Sequence, residues 1–251
     1  MKLSKDGSIK IFSSNAEWIR SELRSQREGL LKSAPGVELI MPFSQAKGRF
    51  YVARPPSDGI CAGISTAISL SVLAGKGVEG FLKNLYMDSS EGQRKGKINL
   101  PYVHGLNELQ NRVGVGSLYE VKQYLKERNI EYKILDYFGD KDSAAENLKS
   151  TVAFLQNQVW ATTENKALDI RLNYKYVNNG HVISFIISDE KNDKQEKAVY
   201  FAEPNIGIFR IWLKENSNQL NDFFLKYADS EPVTPAQFIV SEIKRAAAAS
   251  T

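Results

Sequence analysis

Residues 180–213, GHVISFIISDEKNDKQEKAVYFAEPNIGIFRIWL, decide how this chain folds. Three runs within them, HVISFIIS, KAVYFAE and GIFRIWL, are rich in β-branched and aromatic residues and are separated by short polar segments, the pattern of successive antiparallel strands. DIRLNYKYV alternates in the same way just before them, and QFIVSEIK does so after a helical stretch near Leu220 to Tyr227. The second half is therefore expected to be an antiparallel β-sheet.

Toward the N-terminus the period changes. Between Ile60 and Ala74, the residues Ile60, Ile64, Ala67, Ile68 and Val72 recur at steps of three and four, while Ala62, Gly63, Ser65, Ser69 and Ser71 keep the other faces slim. That spacing predicts a central helix packed on every side. Further helices are expected over Val78–Tyr86, Leu106–Val113, Ser117–Arg128 and Ala144–Leu155, with one strand, EYKILDYF, among them. Before the central helix, SIKIF at 8–12 predicts a short strand and Asn15–Ser33 an amphipathic helix closing at Pro35-Gly36. VELIMPF and GRFYVA follow as β-like pieces, and Pro55-Pro56-Ser57-Asp58-Gly59 breaks the chain. Helices segregated ahead of an antiparallel sheet describe an α+β fold. No repeat or low-complexity linker divides it, so a single domain over 1–251 is expected, with 1–36 as an N-terminal strand/helix extension and 246–251 as a tail.

Composition narrows the function classes. The chain has 251 residues, 33 Lys+Arg against 29 Asp+Glu, a formal charge of +4 and 42% apolar residues. A chain of this length buries a full core without staples. One Cys and two His exclude a disulfide framework and a Cys-rich zinc site, and neither a metal nor a cofactor is expected. The densest basic patch, Arg94, Lys95 and Lys97, is expected to be a solvated loop, so nucleic acid is not an expected partner. No apolar run approaches the ~18 residues of a transmembrane segment. MKLSKDGSIKIF carries charge where a cleaved secretory signal has its apolar stretch.

The single thiol has an informative address. With Asp58 as N-cap, Gly59, Ile60 and Cys61 occupy the first turn of the central helix, where the dipole and free N–H groups favour a thiolate and can receive an oxyanion. A lone Cys among small apolar residues is also ordinary core filler, so its partners decide. The candidate bases are His104 and His181, the latter directly after the turn Asn178-Asn179-Gly180 and at the start of a strand. Folding HVISFIIS and KAVYFAE about Asn192 pairs Ser188 with Glu196, Ser184 with Tyr200, and His181 with Glu203. Directly opposed residues on one face lie close enough for a carboxylate to orient an imidazole.

These blocks resemble a known family. Asp58-Gly59-Ile60-Cys61-Ala62-Gly63-Ile64-Ser65 at a helix start, Gly180-His181 entering a strand, and Glu203-Pro204-Asn205-Ile206-Gly207-Ile208-Phe209 are similar to the triad blocks of YopT/AvrPphB-type cysteine proteases, papain-like effectors that bacteria deliver into host cells. The resemblance spans about residues 50 to 245. It implies a papain-like thiol protease in which Cys61 is nucleophile, His181 general base and then acid, and Glu203 the orienting carboxylate. It further implies a virulence effector secreted without a cleaved Sec signal, acting in the host cytosol on a host protein such as a small GTPase or a kinase-like signalling protein.

The chain departs from the family in three places. Glu203 stands where the family has Asp, the hairpin between His181 and Glu203 is longer, and Pro55 and Pro56 occupy the place of a Gln or Asn that would serve the oxyanion hole. The Cys61 backbone N–H is then one donor candidate, with Ser57 or the more distant Gln45 as the second. Two alternatives keep the fold and change the function: an acyl-transfer enzyme (deamidase, transglutaminase or acyltransferase) on a host protein, or a non-catalytic binding protein whose triad has drifted.

Overall fold

The computed structural model describes residues 10–45, 60–87, 97–113, 118–139, 143–174, 180–230 and 235–246. Seven helices lie within them: α1 (Lys10–Leu31), α2 (Cys61–Leu73), α3 (Gly77–Leu85), α4 (Leu100–Val113), α5 (Leu118–Lys126), α6 (Ala144–Ala161) and α7 (Gln219–Ser230). The strands are β1 (Val37–Met41), β2 (Tyr86–Met87), β3 (Lys97–Ile98), β4 (Ile130–Phe138), β5 (Lys166–Tyr174), β6 (Gly180–Lys191), β7 (Lys197–Glu203), β8 (Gly207–Leu213) and β9 (Pro235–Arg245). The fold class is α+β.

Seven strands form one antiparallel sheet in the order β1-β8-β7-β6-β5-β9-β4, and β2 pairs with β3 separately. β5 to β8 run as the expected meander. Both edges come from the helical first half, because β1 lies outside β8 and β9 inserts between β5 and β4. Strand alternation divides the core into two layers. Leu168, Ile170, Ile183, Phe185, Val199, Phe201, Phe209 and Ile211 face α1, α6 and α7 in one apolar cluster. Ala167, Ile186, Ala202 and Ile208 meet α2, α3 and α4 in another.

α2 lies against the second face and is buried along most of its length. Its small residues have specific work. A Cβ on Gly63 would sit 2.3 Å from the Leu106 carbonyl oxygen, so only glycine lets α2 and α4 approach this closely. Ser65 Oγ donates to the Val182 carbonyl at 3.2 Å, and Ser184 Oγ returns a bond to the Ser65 carbonyl at 3.3 Å. These bonds satisfy hydroxyls that burial would otherwise penalise.

Several expectations are corrected. Lys10–Phe12 open α1 rather than forming a strand: nothing in these three residues breaks the chain before the helical pattern that follows, so they join the helix. Residues 8 and 9, GRFYVA and Pro55–Gly59 lie outside the described residues, as do Arg94 and Lys95 and residues 247–251. α4 begins earlier than expected, at Leu100, where Asn99 Oδ1 accepts from Tyr102 N–H and Pro101 occupies the first turn that tolerates it. α6 continues to Ala161, beyond the expected Leu155. Leu23 and Leu30 of α1 belong to the main core.

The β6–β7 hairpin has a different register from the expected one. Ser184 pairs with Ala202, not Tyr200, and Lys191 rather than Ser188 closes the ladder, opposite Lys197. Asn192 is the cause. Its Oδ1 accepts from the N–H groups of Lys194 and Glu196, both at 3.0 Å, which places Asn192 at the start of the turn rather than at its centre. An irregularity between Ile187 and Lys191 then takes up part of the shift.

Candidate active site

Cys61 is the first helical residue of α2, and Ile60 is the N-cap. The expected cap, Asp58, lies outside the described residues, as do Gly59 and Ser57. Side chains from elsewhere in the fold serve the first turn instead. Gln45 Oε1 accepts from Ile60 N–H at 2.5 Å, and Gln110 Oε1, from α4, accepts from Gly63 N–H at 2.9 Å. Buried helix ends need such partners, because their first N–H groups have none within the helix.

His181 is the second residue of β6, and Glu203 is the last residue of β7. The observed register places Glu203 one step beyond Ala202, across from Ile183 and therefore diagonal to His181 on the same face. The separation is two residues, so the face is retained and long side chains span it. His181 Nε2 meets Glu203 Oε1 in a short contact. The other carboxylate oxygen, Oε2, accepts from Asn205 N–H at 2.8 Å. Both oxygens of a fully buried carboxylate are thus engaged.

Cys61 and His181 also hydrogen bond. The Glu203 contact engages Nε2 and leaves Nδ1 as the other ring nitrogen. Burial raises the thiol pKa, but the His181 hydrogen bond and charge, with the Val182 and Ala62 backbone N–H groups, outweigh it and leave the thiol below its ordinary value. For His181 burial acts downward. The Glu203 charge, the hydrogen bonds to Cys61 and Glu203, and the thiolate charge overcome it, and the imidazole lies well above its usual value. Both directions favour the same ionised form of the pair, thiolate with imidazolium.

Gln45 bears on the same cluster. Its N–H donates to the Pro204 carbonyl at 2.8 Å, and its Nε2 donates to Asn205 Oδ1 at 2.9 Å. Arg27 of α1 reaches behind both loops, with Nε on the Ile206 carbonyl at 2.6 Å and Nη2 on the Phe43 carbonyl at 3.1 Å. Gly207 permits the junction: its φ is +142°, and a Cβ there would lie 2.4 Å from the Met41 carbonyl oxygen.

His104, the other candidate base, is exposed on α4. Asn178 and Asn179 lie outside the described residues. Gln110, Asn205 and Arg27 were not singled out from the sequence as contributors. Arg27 had a signal, because it follows Leu23 by four residues and precedes Leu30 by three, the apolar face of an amphipathic helix. Gln110 had none, since only the tertiary fold brings it to α2. A cavity of about 370 Å³ lies along the C-terminal half of α2, lined by Ser69, Leu73, Thr163, Lys166 and Glu242 among others. None of Cys61, His181 and Glu203 lines it.

No protein-family model and no curated protein matches the sequence. Among solved structures, the chain is similar to PatoxP, a cysteine protease-like domain of the Photorhabdus asymbiotica toxin PaTox, with TM-score 0.46 and 10% identity over 92% of this chain and 60% of that one. It is also similar to the Pseudomonas avirulence protein AvrPphB, with TM-score 0.44 and 16% identity over 74% of this chain and 91% of that one. The chain spans less than two thirds of the length of the PaTox domain structure.

Proposed function

We propose that the chain is a papain-like thiol protease, and the observation that carries this reading is the hydrogen-bonded series Cys61–His181–Glu203 at the start of a buried helix. In this reading the Cys61 thiolate attacks the scissile carbonyl carbon, forming a C–S bond while the carbonyl electrons move to oxygen. The Cys61 N–H and the Gln45 amide donate to that oxyanion. Collapse breaks the C–N bond as the His181 imidazolium gives its proton to the leaving nitrogen. Water then attacks the thioester, His181 takes its proton, and the C–S bond breaks to release the carboxylic acid product. Glu203 fixes the imidazole tautomer and stabilises its positive form.

Glu203 is compatible with this role despite its extra methylene, because its position is diagonal to His181 and the longer side chain spans the added distance. The proposed place of action is the cytosol of a host cell, after delivery by a bacterium, with a host protein as substrate. The resemblance of the Cys61, His181 and Glu203 blocks supports that part. The test is incubation of the parent and Cys61→Ala proteins with host-cell lysate, followed by comparison of new peptide termini. Termini formed only by the parent are expected. A mass change on a target without new termini assigns the site to acyl transfer, and no covalent change in any protein refutes the enzymatic reading.

A further inference from the structure

The β7–β8 turn touches the cluster twice. Glu203 engages His181, and two residues later Asn205 engages Gln45, so the residues form a closed circuit. From Cys61 the circuit passes to His181, Glu203, the Asn205 backbone and side chain, Gln45, and Ile60, whose next residue is Cys61. The amide orientations within it follow from the donors. Ile60 N–H can only donate, so the Gln45 atom facing it is Oε1. Nε2 therefore faces Asn205, whose facing atom is the acceptor Oδ1. One Nε2 hydrogen is used in that bond, and the second remains for an oxyanion.

Resting on the thiol-hydrolase reading, we infer that Asn205 is a positioning residue that aims the Gln45 amide, so that one turn sets both the base and the oxyanion donor. Gln45 is buried, and three further bonds hold the two loops that carry the pair. They are Gln45 N–H to the Pro204 carbonyl and Arg27 to the Ile206 and Phe43 carbonyls. Without the Asn205 acceptor, Gln45 retains its bond to Ile60, but the amide plane is free to rotate about it. A preorganised donor then becomes an adjustable one, which is less effective at a developing charge.

Two reagents separate this role from the rest of the site. p-Nitrophenyl acetate acylates a thiolate through a tetrahedral intermediate and draws on the oxyanion donors. Iodoacetamide alkylates by direct displacement and draws only on the thiolate. Asn205→Ala keeps the backbone N–H that holds Glu203. It is therefore expected to slow acylation about tenfold to a hundredfold while leaving the alkylation rate and its pH profile unchanged. Gln45→Ala should slow acylation at least as much, with no further loss on adding Asn205→Ala, and Asn205→Asp, which retains the acceptor, should recover most of the rate. The Gln45 side-chain amide protons should also exchange faster in Asn205→Ala. Losses that multiply in the double variant, alkylation falling in step with acylation, or unchanged amide exchange each overturn the inference. A parent chain acylated no faster than a free thiol removes the hydrolase reading, and the inference falls with it.

Discussion

Two buried carboxylates lie beside the same helix, and they are in opposite circumstances. Glu203, near the N-terminus of α2, contacts the His181 imidazole and an amide N–H. Asp169, toward the other end, accepts from the Ser69 hydroxyl at 2.8 Å, and no cation is in contact with it among the described residues. Burial pushes Asp169 up to about 6, with the Ser69 and Ser184 hydroxyls and the more distant Arg171 charge acting against that rise. The difference teaches what makes an acid useful here. Burial is common to both, but only Glu203 contacts an imidazole that in turn hydrogen bonds to a thiol at a helix start. Asp169 is a polar group held between α2 and the sheet, bonded to Ser69, which lines the cavity of about 370 Å³.

Removing the proposed base should have the largest effect. His181→Ala should lower p-nitrophenyl acetate turnover by about a thousandfold or more, since the thiolate loses its proton partner, while exposed His104→Ala should leave it unchanged. Circular dichroism should show both variants folded. The opposite ranking would move the base to His104 and dissolve the contrast between the two carboxylates.

Glu203 is the next test. Glu203→Gln keeps shape and loses charge, and it should cost about ten to ten-thousand-fold in turnover. Glu203→Asp keeps charge and loses reach. With the acid diagonal to His181, the shorter side chain should cost about tenfold, and full activity would mean that the diagonal placement does not matter. The pH profile of Glu203→Gln should narrow on its alkaline side, because the Glu203 charge helps to raise His181.

The smallest effect concerns the other carboxylate and is read as stability. Asp169 has a folded-state pKa above its unfolded value, so the native state prefers the proton. Stability from this group is complete below about pH 4 and is lost as pH rises through about 6. Ionising it costs on the order of 3 kcal/mol at pH 8. Asp169→Asn should therefore raise the melting temperature at pH 8, change it little at pH 4, and leave turnover unchanged. A fall in turnover with stability intact would place Asp169 in the chemistry.

The difference between the two ends also bears on what was legible beforehand. The strand runs KAVYFAE and GIFRIWL coincide with β7 and β8, because alternation of large apolar residues fixes both the period and the face. The pairing of those strands was less legible. It depends on the Asn192 side chain, which sets where the turn begins, and on an irregularity that no local pattern marks. The His181–Glu203 contact is found although direct opposition is not, since the displacement is two residues and the side-chain period is also two. Gln45 and Gln110 reach α2 from segments distant in sequence, and a sequence motif for Cys61 has no room for them. Asp169 stood in an alternating run that showed only that it would be near the sheet.

The central claim is that Cys61 is held as a thiolate by His181, and the pH dependence of its alkylation by iodoacetamide tests it most directly. Cys61 is the only cysteine in the chain, so the whole-protein rate is the rate at this site. The account predicts a rate that stays high below neutrality and falls with an apparent pKa well under the ~8.5 of a free thiol, with that advantage lost in His181→Ala. A parent rate that falls with an ordinary thiol pKa, identical in His181→Ala, would contradict it.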